Sequence, residues 1–302
     1  MQFPIRKLSL LSRRKQRPRS EKNARLAGLL ILIKEKTEVI ITSRTNPRVV
    51  AASSLKEKKY RDETGLFLID GKKLFYEAVS SGISLKEVFC IPEFEREVRL
   101  HCPEIDPCVV SKDILEKISP EKSPDGIVSV AGRIDKLHFF NKIYTNEDFA
   151  SVKRLFILSG VRDPGNVGTI VRTASAMGID ELIMSSDCAD IYSPRSVRAS
   201  MGAVFRQKIS FADSLCQAIS SIRKAGYRVL SAVLDESAIR IDDINDFEKT
   251  VFVVGNEGHG LSADVIAACD GGVFIPMKNG VESLNVAVAS AIFMWHSSFG
   301  RK

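Results

Sequence analysis

Asn, Arg, Glu and Ser, residue types that grip and polarise small polar ligands, gather at three places in this chain, each just after an apolar run. The first is SGVRDPGNVGTIVRTASAMG, residues 159–178. Asp163-Pro164-Gly165 makes a stiff turn. Asn166 then stands where its side-chain oxygen can cap a helix that stops at Gly178. Gly165 and Gly168 let the backbone come close to something. Ile170, Val171, Ala174 and Met177 supply a buried stripe, and Arg172 is flanked by Gly168, Thr169, Ser175 and Ala176, which leaves its guanidinium open space. The second place is VFVVGNEGHGLS, residues 251–262. Its G-x-x-G-x-G run is neither the dinucleotide fingerprint nor a phosphate loop. Glu257 offers a carboxylate and His259 a loop imidazole, and Ser262 is placed to cap the next helix. The third is IPMKNGVESLNVAVASAIFMWH, residues 275–296. Ser283, Leu284 and Asn285 open a helix that is apolar on nearly every side and therefore buried. Free N–H groups collect at such a helix start, where Ser283 can cap them. Each place alone reads as a capped helix or a glycine turn. The three together, each beyond an apolar strand, read as one site.

The elements that must position them alternate between strand and helix. In residues 153–300 the apolar runs 154–160, 181–184, 227–233, 251–255 and 273–276 predict strands, and 166–177, 211–225, 261–268 and 284–297 predict helices. Near-continuous apolar strands separated by helices imply a parallel sheet covered on both faces. Ligands of such sheets bind beyond the carboxyl ends of the strands, which is where all three loaded loops lie. Residues 46–133 form a smaller α/β unit. There Asn46–Tyr60 is a basic amphipathic stretch with Val49, Ala52 and Leu55 at helical spacing. Strands are predicted at Gly65–Ile69, Leu85–Ile91 and Gly126–Ala131, and helices at Asp70–Ser81 and Lys112–Ser119. Residues 134–152 carry no strong period and read as a linker.

The net charge of +7 is unevenly spread. Residues 1–45 hold 12 basic and 3 acidic residues, so the basic character lies in this extension and not in the body. The extension fits an organelle transit peptide, an arm that gathers RNA phosphates, or a solvated stretch with no role. The first reading leaves a mitochondrion or plastid open, and the body fits a bacterial cytoplasm. Its longest apolar run is too short to span a bilayer, and no secretory cleavage pattern follows it. Six cysteines show no paired or metal-ligand spacing and four histidines do not cluster, which predicts free thiols in a reducing compartment and no metal.

The order N-x-x-G-T-I-x-R-T-A, G-N-E-G-x-G-L-S, I-P-M-x₅-S-L-N-V-A-V-A resembles the SpoU/TrmH family of RNA ribose 2′-O-methyltransferases, within the SPOUT superfamily. SSLKEKKYRDETGLFLIDGKKLFYEAV is similar to the opening of that family's substrate-binding domain, an L30e-like fold. The resemblance covers roughly residues 40–299 and implies an α/β protein: an L30e-like domain followed by a parallel-sheet SPOUT domain with a trefoil knot. It implies S-adenosylmethionine as cofactor, RNA as partner and a homodimer whose site uses both subunits. It assigns catalytic positions to Asn166, Arg172, Glu257, Ser283 and Asn285. It assigns the methyl donor to backbone groups of Gly255, Ile275, Met277 and Leu284. On the RNA side, RASMGA suggests Arg198 and Ser200, and the basic stretch of the first unit offers Arg48, Lys56, Lys58, Lys59 and Arg61. Ribosomal RNA is favoured by the two-domain layout, with transfer RNA and a silent RNA-binding protein as alternatives. An oxidoreductase is excluded by the missing G-x-G-x-x-G.

Overall fold

The computed structural model of the chain describes residues 40–134, 138–139, 154–235, 237–244, 247, 249–278 and 283–299. The basic extension lies outside this set up to residue 39, as does most of the stretch 134–152. From Ile40 onward the chain forms one compact unit built on two sheets.

The first lobe opens with two short helices, α1 (Pro47–Ser54) and α2 (Lys58–Thr64), where the sequence shows one amphipathic stretch. They are followed by β1 (Leu66–Asp70), α3 (Lys72–Ser80), β2 (Leu85–Cys90), α4 (Glu95–His101), β3 (Cys108–Val109), α5 (Lys112–Ile118) and β4 (Ile127–Gly132). The strands are ordered β1-β4-β2-β3. β4 runs antiparallel to both neighbours and β3 parallel to β2. Apolar clusters around Phe89 and Ile114 on one face, and around Phe75 and Val88 on the other, cover the sheet. Burying one such side chain contributes about 1.5–3 kcal/mol.

The second lobe begins inside the stretch expected to be a linker. β5 (His138–Phe139) is already the edge of the large sheet, so the linker reading is corrected there. Then come β6 (Leu155–Leu158), α6 (Pro164–Met177), β7 (Glu181–Ser185), α7 (Pro194–Ser200), β8 (Lys208–Ala212), α8 (Leu215–Lys224), β9 (Arg228–Ala232), β10 (Ile239–Arg240), β11 (Thr250–Val254), α9 (Ala263–Ala268), β12 (Gly271–Phe274) and α10 (Val286–Phe299). The order is β10-β12-β9-β11-β6-β7-β8-β5, and its strand pairs are parallel. This matches the parallel sheet predicted from the apolar runs. The trefoil knot is a matter of loop threading, and residues 279–282 of the loop before α10 lie outside the described set.

Two cores flank the large sheet. One lies under α8 and α9. The other takes in α6, α7 and α10, and it continues without a break into Phe67, Ile69, Leu74, Ala78 and Ala131 of the first lobe. The two lobes therefore share apolar surface.

Candidate active site

β6, β11 and β12 place their carboxyl ends at one edge, with only β9 standing between β11 and β12. The loop after β6 leads into α6. Its N-cap is Asp163, whose carboxylate accepts the Asn166 backbone N–H at 2.9 Å, with Pro164 in the first turn. This corrects the expectation that Asn166 is the cap. An Asp before a Pro fits a helix start better, because the proline lacks an N–H and presets the helical φ. The Asn166 side chain is thereby released for other partners.

The loop after β11 is closed on itself. Asn256 and Gly260 exchange backbone hydrogen bonds of 3.0 and 2.9 Å. The Asn256 side-chain oxygen accepts from Gly258 N and His259 N, and its amide donates to Gly160 O at 2.8 Å. A methyl group on Gly255 would lie 2.5 Å from the Gly260 carbonyl. Gly255 is thus demanded by loop closure as well as standing at the cavity wall. Gly168 has a similar cause: a methyl there would lie 2.4 Å from Ser196 O of α7, so this glycine serves helix packing and not a ligand. Ser262 sits at the N-cap of α9 without a side-chain capping bond.

The loop before α10 supplies Asn285. Its side-chain oxygen accepts from Ala287 N at 2.9 Å and Val288 N at 3.3 Å, so Asn285, not Ser283, caps the helix. Its amide donates to Asn166 Oδ1 at 3.1 Å. Asn166 in turn donates to Glu257 Oε1 at 2.9 Å. Glu257 also accepts the backbone N–H groups of Arg162 and Asp163 at 3.3 and 3.4 Å. One hydrogen-bonded chain, Asn285–Asn166–Glu257, therefore ties all three loops together. Burial pushes the Glu257 carboxyl up, but the donors from Asn166, its own backbone, Arg162 and Asp163 outweigh it and hold the group below the usual carboxylate range.

Beside this chain lies a cavity of about 850 Å³. Gly255, Ile275, Met277 and Leu284 all line it, as do Glu257, Ser283 and Asn285. Cofactor sites span roughly 300–1,000 Å³. Apolar walls such as Val254 and Phe293 beside polar Glu257 and Asp235 fit a ligand with a flat apolar part and a charged end, as S-adenosylmethionine has. Arg172 lies outside this lining. It is exposed on α6 and makes no hydrogen bond or ion pair among the described residues. Its guanidinium is open to a ligand, as its small neighbours predict.

The residues expected on the RNA side divide. Arg48 is paired with Glu87 on the surface, Lys58 with Asp62 at 2.6 Å and Lys59 with Glu63 at 3.9 Å. These exposed pairs hold their charges loosely. Lys56 donates to Lys117 O. Arg198 pairs with Glu121 at 2.6 Å. Ser200 is buried and donates to Val197 O, and Arg61 is buried against Asp190, so neither offers itself to RNA. The sequence reading gives Asp163 only a place in the turn and assigns no role to Asn256. The Asp-Pro pair was a usable signal for the first, whereas nothing local marks the second. Among the described residues no cluster of His, Cys, Asp and Glu could hold a metal, and all six cysteines are free.

Residues 153–295 match the SpoU rRNA Methylase family, and residues 46–129 match the MRM3-like substrate binding domain. The chain is 28% identical to the 23S rRNA (guanosine(2553)-2′-O)-methyltransferase RlmP of Bacillus subtilis, over 85% of this chain and 98% of that protein. It is 28% identical to the mitochondrial rRNA methyltransferase 3A of Danio rerio, over 82% of this chain and 67% of that one. The AdoMet-bound rRNA methyltransferase of Sinorhizobium meliloti superposes with a TM-score of 0.73 at 29% identity, covering 85% of this chain and 96% of that one.

Proposed function

We propose that this chain, a SpoU-type methylase domain behind an MRM3-like substrate-binding domain, transfers a methyl group from S-adenosylmethionine to a ribose 2′-hydroxyl of ribosomal RNA. The observation that carries the reading is the Asn285–Asn166–Glu257 chain beside the cavity, whose middle member Asn166 lies on the same helix that presents the open Arg172 guanidinium. When bound, the donor supplies an electrophilic methyl on a sulfonium. The protein's part is alignment and charge. Gly255, Ile275, Met277 and Leu284 wall the donor cavity. Glu257, kept ionised by its donors, fixes the Arg162–Asp163 backbone and the Asn166 amide, and Asn285 fixes the other end of that amide. A guanidinium offers five donors and no acceptor, so the role of Arg172 is to stabilise the oxyanion as the hydroxyl loses its proton to phosphate or water, and to grip the neighbouring phosphate with two parallel N–H donors. The 2′-hydroxyl restricts the substrate to RNA.

The active form is a homodimer. Val288, Trp295 and Phe299 of α10 are 50, 50 and 59% exposed, and their spacing sets them along one side of the helix. An apolar stripe of this kind suits a partner surface. The body works in the cytoplasm, and the mitochondrial relative keeps an organelle as the alternative. Among the described residues no helix is long and apolar enough to cross a membrane.

The test is transfer of labelled methyl to total ribosomal RNA and, separately, total transfer RNA, each from cells lacking the gene. Label is expected in ribosomal RNA, at a step resistant to alkaline cleavage. Arg172→Ala is expected to lower the rate on the order of 100-fold, the usual cost of removing one oxyanion donor. Arg172→Lys keeps charge and loses the fork, so near-normal turnover would exclude the bidentate grip. Label in transfer RNA alone would change the substrate class. No label in either pool, with donor binding intact, would leave an RNA-binding protein.

A further inference from the structure

Arg61 is the most enclosed charge of the first lobe. Its side chain is 3% exposed, and that of its partner Asp190 is 11% exposed. Every nitrogen of its guanidinium is engaged. Nε and Nη2 donate to Asp190 Oδ2 at 2.9 and 2.8 Å, and Nη1 donates to Leu55 O and Lys56 O at 2.8 and 2.7 Å. Arg61 thus ties the end of α1 and the body of α2 to a loop of the second lobe.

That loop is not a passive acceptor. The other Asp190 oxygen accepts from Tyr192 N at 2.9 Å, and its carbonyl accepts from Ser196 Oγ at 2.8 Å, in the first turn of α7. Tyr192 packs on Phe67 of β1 with ring centroids 4.7 Å apart, and its hydroxyl accepts from Ile134 N. α7 in turn meets α6 at Gly168, where there is no room for even one methyl group. A rigid path therefore runs from Arg61 through Asp190 and α7 to the helix that carries Asn166 and Arg172. The shared apolar core holds the lobes together, but apolar burial has no direction. A planar fork with fixed donor directions does.

We infer that Arg61 is a positioning residue for methyl transfer, setting the angle at which RNA held by the first lobe meets Arg172. This rests on the reaction proposed above. Misplacement of about 1 Å can cost on the order of 100-fold in rate. The test uses the full chain with labelled donor and ribosomal RNA from cells lacking the gene. Arg61→Lys keeps the charge and loses the fork, and Asp190→Asn removes the acceptor charge while Arg61 keeps its carbonyl bonds. The single-turnover rate at saturating RNA is expected to fall about 10- to 100-fold in both variants. Donor affinity by calorimetry and RNA affinity by filter binding are expected to stay unchanged, since neither Arg61 nor Asp190 borders the cavity. Unchanged rates in both variants would overturn the inference. So would a loss of donor affinity in step with the rate, which marks general loosening of the fold. A wild-type protein that transfers no label would instead sink the reaction itself, and this role with it.

Discussion

Asn166 has its amide orientation fixed from both sides: its oxygen faces an Asn285 donor and its nitrogen faces the Glu257 carboxylate. The sequence marked all three residues in separate stretches and read Asn166 alone among them as a cap, because spacing along the chain carries no information on contacts between loops. Glu257 makes the arrangement testable by pH. Its folded pKa lies below the ordinary value near 4.3, so its contribution is complete above that value and is lost only as pH falls through the lower, folded one. Between pH 6 and 9 the transfer rate should therefore not report Glu257. Glu257→Gln is expected to lower the rate roughly 10-fold, equivalent to about 1.4 kcal/mol, without altering the shape of the profile. Loss of an acid limb near pH 6 in the variant would show that Glu257 titrates there after all. Asp70 carries the opposite sign. Burial pushes its carboxyl up, Ser119 donates to Oδ2 at 2.7 Å, and Oδ1 is enclosed without a partner. The folded state then holds this proton more tightly than the unfolded chain does. Stability from this group is greatest below its ordinary value near 3.9, declines as pH rises through the raised value, and is flat above it. Asp70→Asn should raise stability at pH 7 by about 1 kcal/mol and converge with wild type in strong acid, as read by urea unfolding at both pH values. A less stable variant at pH 7 would mean that the Ser119 bond outweighs the enclosed charge.

Helix and strand periods placed most elements to within a few residues, and the misses have identifiable causes. β8 reads K-I-S-F-A, where Ser210 is fully buried and donates to the equally buried Glu181. A polar pair inside the core breaks the apolar run by which a central strand is recognised. α7 reads P-R-S-V-R-A-S and shows a single large apolar residue, because much of its inner face is small and packs backbone against backbone. That packing decides Gly168. The sequence reading has the backbone come close to something at this glycine, and the approach is to α7. Gly168→Ala is expected to cost about 1–3 kcal/mol, the usual range for overpacking. At about 2–4 °C per kcal/mol for a chain of this size, its melting temperature should drop by several degrees. Methyl transfer should fall further than stability alone explains, because the displaced helix carries Asn166 and Arg172. Calorimetry beside transfer assays reads both. An unchanged melting temperature would show that α6 and α7 can part without cost.

At the scale of the whole molecule, sequence periods describe elements one at a time and say little about which surfaces they share. The continuous core between the lobes was not legible, since Phe67 and Ile69 read only as strand residues of their own unit. The last helix makes the same point in reverse. Its apolar character on nearly every side predicts burial, yet Phe293 and Met294 are buried while Val288, Trp295 and Phe299 face outward. A helix apolar all round needs cover all round, and the described residues of this chain cover one side of it. A second copy offers the same stripe, and a two-fold axis would let each stripe cover the other. Sedimentation at micromolar concentration is therefore expected to give twice the chain mass of 33.4 kDa. Trp295→Glu places a charge in the centre of the stripe and should yield a species at the chain mass. If the site draws on both subunits, methyl transfer by that variant should fall along with dimer content, and a concentration series would show the two tracking each other. A wild-type protein that sediments at the chain mass at every concentration would remove the dimer. A monomeric Trp295→Glu protein with full activity would keep the dimer and remove its role in the site.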